Sequence, residues 1–522
     1  MLRQLRKAFM VSHVAEGYQS NDLNALLEER NKNPISRRKF ISSAAKVAAV
    51  ISVAGLYEAC NPKNKATQPQ IVIVGAGIAG LHAAYILKNA GYSAQIYEGS
   101  PRTGGRIMSV SDMMGDGLWT EMGGEFIDTD HEDMLSLAKK FDLPLIDRAV
   151  ESEKSLKEYA YYFQKKHFQL KDLLKELHPF AEKISKDAQS LSEEITFEKH
   201  SADDQRLDNM SITNYLDSLG IKGWFHNFII ASYTAEYGME AGEQSAINFL
   251  SLFDPGDENS YKLYGSSDER FSIVGGNEKL TSTLASRLSN QINTEHILTA
   301  ISQKDKKYVL TFQMGSSGSM DVEADIVLLT IPFIKLREVD IKVPLPDWKM
   351  NAIKNLGYGT NSKLFVGVNE RVWRSQGYTG YAFSDNIMMN GYDHTQLQNN
   401  NLGPGGYTIF LGGKAGIDCG TPSLDDLQNQ YVPALDEFFP GVNKSFNGRF
   451  QRWHWPSYVF AKASYTSYRV GQYTTLCGAA QKPIDNLFFA GEHCSYEFQG
   501  FMNGGAQTGR QAAEAIIEKL KP

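Results

Sequence analysis

Three glycines near residue 75 have the spacing of a loop that lets a phosphate approach the backbone. They are Gly75, Gly77 and Gly80, in the order Gly-x-Gly-x-x-Gly. Gly75 would permit a tight turn, Gly77 would let a pyrophosphate reach the main chain, and Gly80 would let a helix and a strand pack closely. Glu98 lies further along, where a carboxylate can accept hydrogen bonds from ribose hydroxyls. The pattern predicts a dinucleotide site, and the carboxylate disfavours a 2′-phosphate, so FAD or NAD is expected rather than NADP.

The elements that must position these residues follow from the hydrophobic pattern. Residues 70–74 form a β-branched apolar run, which predicts a buried strand. Residues 81–89 have the apolar spacing of a helix, and Gly91 ends it. Residues 94–97 predict a second strand that leads into Glu98. Strand, helix, strand and acid in this order predict an α/β fold with a Rossmann-like domain.

A second glycine loop follows the second predicted strand. Gly104 and Gly105 are flanked by Arg102 and Arg106. Such a loop suits a second backbone contact with phosphate, and the guanidinium of Arg106 is a suitable charge partner. Enzymes that use only NAD do not need this loop, so its presence favours FAD.

The composition is that of a globular protein and excludes several classes. Of 522 residues, 42% are hydrophobic and 22% are charged. The formal net charge is -7, whereas a nucleic-acid-binding protein normally has a basic surplus, so no nucleic-acid partner is expected. The four cysteines form neither a disulfide framework nor a zinc signature, and no metal site is predicted.

The glycine motifs and a late segment together resemble the flavin-containing amine oxidase family. The similar stretches are GAGIAGLHAAYIL at 75–87, YEGSPRTGGR at 97–106 and FFAGEH at 488–493. This family includes monoamine, polyamine and L-amino-acid oxidases and histone lysine demethylases, and the resemblance extends over about residues 70–518. It implies an α/β architecture in which a Rossmann-like FAD-binding domain is combined with a discontinuous α+β substrate domain.

The resemblance, together with the composition of each stretch, predicts six segments. They are a twin-arginine signal and linker (1–68), a first FAD-binding segment (69–150), a helical segment of the substrate domain (151–265), a second FAD-binding segment (266–340), the substrate-domain sheet (341–450) and a third FAD-binding segment (451–522).

The resemblance also implies FAD contacts from distant segments. The backbone of Gly123 and Gly124 would pass close to the flavin ring, where a side chain would collide. Glu492 would bond the ribityl or pyrophosphate region through a water or hydroxyl, and the last predicted helix would point its N-terminus at polar groups of the cofactor. The predicted cofactor-binding residues are Gly75, Gly77, Gly80, Glu98, Gly105, Arg106, Gly123, Gly124, Trp455, Gly491, Glu492 and Met502.

Three catalytic residues are implied by the same resemblance. Lys363 matches the lysine that holds a water against flavin N5, although a lysine in an apolar strand is costly to bury without a partner. Tyr465 and Phe501 match the two walls of an aromatic cage that faces the flavin. Ser464 stands where monoamine oxidases carry the cysteine linked to flavin, and serine cannot form that thioether. Non-covalent FAD is therefore expected.

The implied reaction is FAD-dependent oxidation of a primary, secondary or polyamine to an imine. Water would hydrolyse the imine to an aldehyde and ammonia or an amine, and reoxidation by O2 would give H2O2. An alternative is a desaturase or oxidase of a large apolar substrate, of the carotenoid or protoporphyrinogen type; the combination of Lys363, Trp455 and Tyr465 favours amine oxidation. A flavoprotein without enzymatic activity is a third alternative.

The prediction of the substrate class depends on the segment that follows Gly123 and Gly124. An L-amino-acid oxidase needs an arginine to pair with the substrate carboxylate, and this segment instead carries Glu125 and Asp128. These acids suit a cationic amine; the alternative is that they cap the following helix.

The N-terminal segment has the layout of an export signal. Arg37 and Arg38 precede an apolar stretch, residues 41–56, which is short for a membrane span and contains Lys46. The twin arginines predict the Tat type and export to the periplasm, with the Tat machinery as a partner. Cys60 is a candidate for lipid attachment to the membrane surface; the alternative is a signal remnant in which the cysteine has no role.

Overall fold

The computed structural model describes residues 69–521, apart from residues 258 and 316. The predicted twin-arginine signal and Cys60 fall outside these residues. Among the helices of the described part, none combines the length and the apolar character that a membrane span requires.

The described residues form strands and helices with the following bounds. The strands are β1 Ile71–Val74, β2 Ala94–Tyr97, β3 Ser109–Ser111, β4 Trp119–Glu121, β5 Leu145–Asp147, β6 Lys157–Phe163, β7 Lys166–Phe168, β8 Phe271–Ile273, β9 Ile292–Asn293, β10 Ile297–Lys304, β11 Lys307–Gln313, β12 Ser319–Ala324, β13 Ile326–Leu329, β14 Asp340–Ile341, β15 Ser362–Val368, β16 Tyr378–Ser384, β17 Asn390–Asp393, β18 Gly405–Leu411, β19 Phe446–His454 and β20 Leu487–Phe489. The helices are α1 Ile78–Asn89, α2 Glu132–Lys140, α3 Glu151–Lys154, α4 Leu170–Ser190, α5 Ala202–Asp208, α6 Ile212–Ser218, α7 Gly223–Tyr237, α8 Ala246–Leu252, α9 Glu278–Arg287, α10 Phe333–Leu336, α11 Asp347–Asn355, α12 Val372–Ser375, α13 Gly413–Asp418, α14 Leu424–Phe438, α15 Val442–Ser445, α16 Tyr473–Leu476 and α17 Met502–Leu520. Short 3-10 segments cover Ser289–Gln291, Gln398–Asn401, Trp455–Ser457 and Glu492–Cys494.

A five-stranded parallel sheet carries the first glycine motif. Its order is β20-β13-β1-β2-β9. The IVIV run of β1 is buried along its whole length, as the β-branched runs of parallel sheets are. The structure confirms the predicted strand, helix and second strand, and with them the α/β fold class; the helix begins three residues earlier than the apolar spacing indicated, at Ile78.

The helices that follow the first and last strands of this sheet pack against each other. Gly505 and Gly509, in the first two turns of α17, lie against Ile78 and Ala79 at the start of α1. Because neither glycine carries a side chain, the two helices approach closely and their first turns are neighbours.

A seven-stranded sheet forms the second large layer, in the order β19-β15-β18-β17-β16-β6-β7. One face packs against α14 through a core that includes Leu364, Val366, Ile409 and Leu435. Side chains alternate between the two faces of a strand, so Lys363 lies on the opposite face from Leu364.

The helical segment of the predicted substrate domain also contains a β-hairpin. Within 151–265, β6 and β7 pair with each other, and β6 joins β16 in the seven-stranded sheet. The sequence KEYAYYF of β6 is rich in aromatic residues that favour strands, a signal that the helical interpretation overlooked. Helices α4 to α8 cover this hairpin with an aromatic core that includes Trp224, Phe228 and Phe383. The domain boundaries themselves stay a prediction.

Candidate active site

The two glycine loops face each other at the C-terminal end of β1. Gly77 and Gly104 form an isolated parallel bridge, and the Gly104 amide donates to the carbonyl of Ala76 at 2.8 Å. Gly75 has a φ of +108°, in the region that favours glycine. A Cβ on Gly77 would have only the Cα of Gly105 within 4 Å, at 3.9 Å. The backbone of Gly77 therefore leaves the room that a phosphate needs.

Glu98 connects the second strand to the glycine loop. Its buried carboxylate accepts hydrogen bonds from the amides of Ala76 at 2.7 Å and Ser100 at 2.8 Å. Each carboxylate oxygen has a second lone pair. Glu98 can therefore hold ribose hydroxyls while it also fixes the loop. Gly80 stands in close packing with this loop, since a Cβ there would overlap the carbonyl oxygen of Gly75.

The two arginines of the second loop have different partners. Arg102 donates to the carbonyls of Gly105 and Ile107, each at 2.7 Å, and to Glu278 at 2.8 Å, so it organises its own loop. Arg106 donates to the carbonyl of Ser464 at 2.7 Å and to Glu492 at 2.9 Å. An ion pair therefore joins Arg106 and Glu492, two predicted cofactor residues from opposite ends of the chain.

Glu492 joins the segments around it. Its carboxylate accepts from the amide of Gly500 at 3.0 Å and from the hydroxyl of Thr466 at 3.3 Å, in addition to Arg106. Gly491, directly before it, has a φ of +140°, and its amide donates to the hydroxyl of Thr508 in α17 at 2.9 Å. The segment 491–492 thus holds the start of α17 against the second glycine loop.

The donors of this region fit FAD. At the first turns of α1 and α17, the described structure has no side-chain hydrogen bond that caps the helix. The amides and the positive end of each helix dipole are therefore available to phosphate or other polar groups of a nucleotide. With the carboxylate of Glu98 at one end and Arg106 at the other, the residues match the charges of a dinucleotide.

Gly123 and Gly124 lie beside the second glycine loop and the start of α17. A Cβ on Gly123 would overlap the carbonyl oxygen of Arg106, and one on Gly124 would lie 2.5 Å from Cγ of Met502. The indole of Trp455 lies against Gly123 and donates to the carbonyl of Met122 at 3.1 Å. The structure therefore brings Gly123, Gly124, Trp455 and Met502 together beside Arg106.

Lys363 is buried and its ammonium group has three acceptors. It donates to the carbonyls of Glu121 at 3.0 Å and Gly123 at 2.9 Å, and to the carboxylate of Glu125 at 2.8 Å. The side chains of Lys363 and Glu125 are 4% and 5% exposed, so this is a buried ion pair. Glu125 also accepts from the hydroxyl of Tyr392 at 2.7 Å. The partner that a lysine in an apolar strand requires is thus Glu125.

Tyr465 and Phe501 lie on neighbouring segments near the start of α17. The Tyr465 ring contacts Gly500, the residue before Phe501, and both aromatic side chains are partly exposed. The Tyr465 hydroxyl donates to the carbonyl of Glu236. Burial raises the pKa of Tyr465 well above its ordinary value, so it stays a neutral phenol. The Phe501 ring meets the buried His131 edge to face, with ring centres 5.1 Å apart.

A row of aromatic rings crosses the seven-stranded sheet from Lys363. Phe410, the register partner of Lys363, is followed by Tyr392, Tyr381 and Tyr159 on successive strands. The ring centres of neighbours in this row are 6.4, 5.6 and 5.4 Å apart. The row begins beside Lys363, whose Nζ lies 5.9 Å from the centre of the Phe410 ring.

Carboxylic acids lie near this row. Glu236 and Glu269 are partly exposed, and both lie close enough to Tyr381 to interact with it electrostatically. Burial, with Asp128 nearby, raises the pKa of Glu236 to about 7. Burial, with Glu236 and Asp128 nearby, raises the pKa of Glu269 well above its ordinary value. Burial and Asp268 raise the pKa of Asp128 to about 7.

The family follows from comparison with known proteins. The sequence model described as flavin containing amine oxidoreductase matches residues 78–517 of the chain. The chain belongs to this family. It is therefore a flavin-containing amine oxidoreductase with FAD as its cofactor, in agreement with the expectation from the glycine loops.

Individual relatives are similar at low identity over most of their length. The L-amino-acid oxidase BmooLAAO-I of Bothrops moojeni is 24% identical over 489 residues, which cover 88% of this chain and 91% of that protein. The L-amino-acid oxidase of Crotalus adamanteus is 23% identical over 488 residues, which cover 88% of each. A putrescine oxidase structure bound to putrescine has a TM-score of 0.73 at 19% identity and covers 86% of this chain and 99% of its own. Cyclohexylamine oxidase from Brevibacterium oxydans IH-35A has a TM-score of 0.71 at 18% identity and covers 87% and 100%.

In this amine oxidoreductase, the two acids after Gly124 have partners from distant segments. Helix α2 begins after its N-cap residue His131, whose Nε2 lies 3.5 Å from the Asp128 carboxylate. Glu125 pairs with Lys363, and Asp128 accepts from the amide of Glu269 at 2.9 Å. Both carboxylates are therefore held by tertiary contacts.

Sequence reasoning missed several residues of this site. Glu236 is the one acidic residue in the otherwise apolar or neutral helix α7, and that isolation was a usable signal. Glu269 and Arg148 lie in stretches without a motif. Arg148 lies over the Phe126 ring at 4.9 Å, and two of its buried nitrogens, Nε and Nη1, have no hydrogen-bond partner among the described residues.

Proposed function

We propose that this flavin amine oxidoreductase oxidises an amine that carries a second positive charge. The observation that carries the proposal is the acid group formed by Asp128, Glu236 and Glu269, which lies near Tyr465 and near Tyr381 of the aromatic row. Carboxylates and aromatic faces both attract ammonium groups. Burial raises the pKa values of Asp128 and Glu236 to about 7, so these two carboxyl groups become negatively charged above that pH. They lie beside the predicted cage, where the far end of a diamine would lie.

The reaction proposed is amine + O2 + H2O → aldehyde + ammonia + H2O2. Bound FAD would accept two electrons from the substrate and pass them to O2. The chain's own residues would bind and orient the amine: Tyr465 and Phe501 would flank the reacting nitrogen and exclude water. A large apolar substrate fits this acid-lined space poorly, which argues against the desaturase alternative.

The neighbours give limited support to this choice. One solved structure of the same fold is a putrescine oxidase bound to putrescine, which is a diamine. At 19% identity, this similarity shows only that the folds are alike. The substrate proposed for this chain is therefore argued from its own acidic residues.

The test is a comparison of matched amines with peroxide detection. Cadaverine and pentylamine have the same carbon chain and differ by one terminal amino group. A charged hydrogen bond of about 1.5–3 kcal/mol corresponds to a preference of roughly 10- to 100-fold in kcat/KM for cadaverine. Equal values for the two amines would contradict the second-charge proposal, and no peroxide with any amine would contradict oxidation by O2.

A second candidate is oxidation of a basic L-amino acid, and Arg148 is the observation that favours it. Its two unpartnered nitrogens are the kind of donor that pairs with a carboxylate. The relatives from Bothrops moojeni and Crotalus adamanteus are L-amino-acid oxidases. Lysine is cadaverine with an added carboxylate, so a preference for lysine that Arg148→Met abolishes would establish this candidate. A preference for cadaverine that Arg148→Met leaves unchanged would reject it.

We also propose that FAD is bound without a covalent link. Ser464 is buried and its hydroxyl donates to Asn361 at 2.6 Å. Serine lacks the sulfur needed for a thioether at this position. Acid precipitation should leave the yellow colour in the supernatant; colour retained in the protein pellet would contradict this.

Export by the Tat system to the periplasm, with Cys60 as a lipid-attachment site, is proposed on the sequence of residues 36–60. Replacing Arg37 and Arg38 by lysine should keep the protein in the cytoplasm. Cys60→Ala should release it from membranes if Cys60 carries lipid. Unchanged fractionation of either variant would contradict the corresponding half of the proposal.

A further inference from the structure

We propose that Glu125 is a positioning residue for Lys363. Its carboxylate fixes the ammonium group of Lys363 in place, and Lys363 then acts on the reaction through its charge. This inference rests on the proposed reoxidation by O2.

The first step of the argument is the number of protons. An ammonium group has three N–H donors and no acceptor. Lys363 has three acceptors, at 3.0, 2.9 and 2.8 Å, namely two main-chain carbonyls and the carboxylate of Glu125. All three acceptors belong to residues 121–125, so this one segment determines where the ammonium group lies.

The second step is the way in which Glu125 is held. Its Oε2 accepts from both Lys363 and the hydroxyl of Tyr392, and the side chain is 5% exposed. Glu125 follows the glycine pair whose backbone packs against Arg106 and Met502. The carboxylate is therefore fixed to the same loop that supplies the two carbonyl acceptors, so one rigid segment, residues 121–125, makes all three bonds.

The third step concerns the other charged and titratable groups that face the pair. They come from several elements and are Glu121 of β4, Arg148, Glu269, Tyr392 of β17 and His394. Among these, Glu121 contacts the lysine through its main-chain carbonyl, and its carboxyl group is bonded by Ser109 and the Asn277 amide. Glu125 is the carboxylate whose oxygen pairs directly with Lys363.

Removal of the Glu125 charge would leave a buried ammonium without a counter-ion. Burial disfavours the charged form of lysine, with shifts that reach several pKa units in fully buried cases. In Glu125→Gln, the charged form of Lys363 should therefore be less stable relative to the neutral amine than it is in the wild type. A fixed positive charge favours the negative charge that develops on O2 as it is reduced, so loss of the Lys363 proton should slow reoxidation.

The first experiment uses apoprotein and needs no turnover. Glu125→Gln and Lys363→Met should each lower the thermal midpoint by about 3–6 °C, because each leaves one buried charge unpaired. The double variant should recover most of that loss, because neither charge remains. Additive losses in the double variant would overturn the pairing.

The second experiment is the pH dependence of reoxidation, measured by mixing reduced holoenzyme with O2 from pH 6 to 9. Glu125→Gln should lose at least tenfold in rate constant as pH rises, whereas the wild type should not show this loss. The control is Glu153→Gln, which breaks a partly buried ion pair, with Arg374 at 2.8 Å, that includes neither Lys363 nor Glu125. It should lower the thermal midpoint without giving the pH profile of Glu125→Gln.

The outcomes separate this inference from the proposed function. A wild-type profile in Glu125→Gln would overturn the role of Glu125 in positioning a charge. If the double variant no longer shows the fall in the reoxidation rate constant with rising pH, that fall is due to Lys363. If the fall persists in the double variant, Lys363 is not its cause. Failure of every amine to reduce the flavin anaerobically would reject the proposed substrate, while chemically reduced enzyme would still test Glu125.

Discussion

At the scale of single residues, the charged groups of this site are held by named partners from distant parts of the chain. Lys363 and Glu125 are separated by 238 positions, and Arg106 and Glu492 by 386. The sequence pattern placed Lys363 on a buried strand, but nothing local indicated which acid would pair with it. Glycine spacing is a local signal and could be read, whereas a salt bridge between strand and loop depends on tertiary structure.

The first prediction at this scale concerns the effect of Glu98 on the affinity for FAD. Glu98→Gln keeps one acceptor oxygen for the amides of Ala76 or Ser100 but removes the charge that attracts ribose hydroxyls. Loss of a charged hydrogen bond costs about 1.5–3 kcal/mol, so the Kd for FAD should rise roughly tenfold or more. Fluorescence titration of apoprotein with FAD measures this, and an unchanged Kd would contradict the role of Glu98.

Glu236 gives the second prediction, which combines charge and pH. As pH rises through about 7, the Glu236 carboxyl loses its proton and becomes able to pair with a second ammonium group. The ratio of kcat/KM for cadaverine to that for pentylamine should therefore rise between pH 6 and 8; the ratio cancels the titration of the reacting amine. In Glu236→Gln the ratio should be lower and less dependent on pH. A ratio in the variant equal to the wild type would place the second charge elsewhere.

At the scale of elements, a strand–helix–strand unit with its own local sequence signals could be predicted. A hairpin that pairs with a strand far along the chain could not. The β1–α1–β2 unit carries its own strand, turn and helix signals. The hairpin β6–β7 lies in a segment whose charged helices dominate the composition, and it pairs with β16 more than 200 residues away, as Tyr159 with Tyr381. That pairing brings Tyr159 into the aromatic row, which no local pattern indicates.

The loop that carries Gly123 gives the third prediction. Gly123→Ala would press a Cβ into the carbonyl oxygen of Arg106, which is main chain and cannot rotate away. Overpacking of this kind should lower the free energy of unfolding by about 3 kcal/mol or more and weaken FAD binding. Denaturant unfolding and FAD titration measure the two effects.

Gly242→Ala is the matched control for that substitution. Its Cβ would meet only the hydroxyl oxygen of Thr213, at an ordinary contact distance of 3.7 Å. The free energy of unfolding should change by less than about 0.5 kcal/mol. Equal losses in the two variants would show that steric overlap at Gly123 is not the cause.

At the scale of the whole molecule, several buried acids make stability depend on pH near neutrality. Burial raises the pKa of Glu121 to about 8, and burial with neighbouring acids raises those of Asp128 and Glu236 to about 7. The folded protein then holds protons that the unfolded chain has lost. The free energy of unfolding should therefore fall as pH rises from about 4.5 toward the folded pKa values.

The measurable window for this fourth prediction lies above pH 6.5. Below that, His493 acts in the opposite direction, because burial lowers its pKa to about 4 and the unfolded chain binds the extra proton. Above about pH 7, Lys349 also opposes the acids, because burial lowers its pKa to about 7 while the unfolded chain keeps the proton. From pH 6.5 to 8, unfolding of apoprotein should show a stability loss of at most about 1.4 kcal/mol per pH unit for each raised acid. Glu121→Gln should reduce the slope; the same slope in this variant would exclude Glu121 as a source.

The order of strands in the central sheet has a consequence for biosynthesis. β1 is made early, but its sheet is completed by β20, and the neighbour of its helix, α17, begins only at Met502. A ribosome that has made two thirds of the chain has therefore produced neither Glu492 nor the second helix start. The nascent protein then lacks part of the predicted flavin site, so stable capture of the cofactor is expected only after α17 has left the exit tunnel.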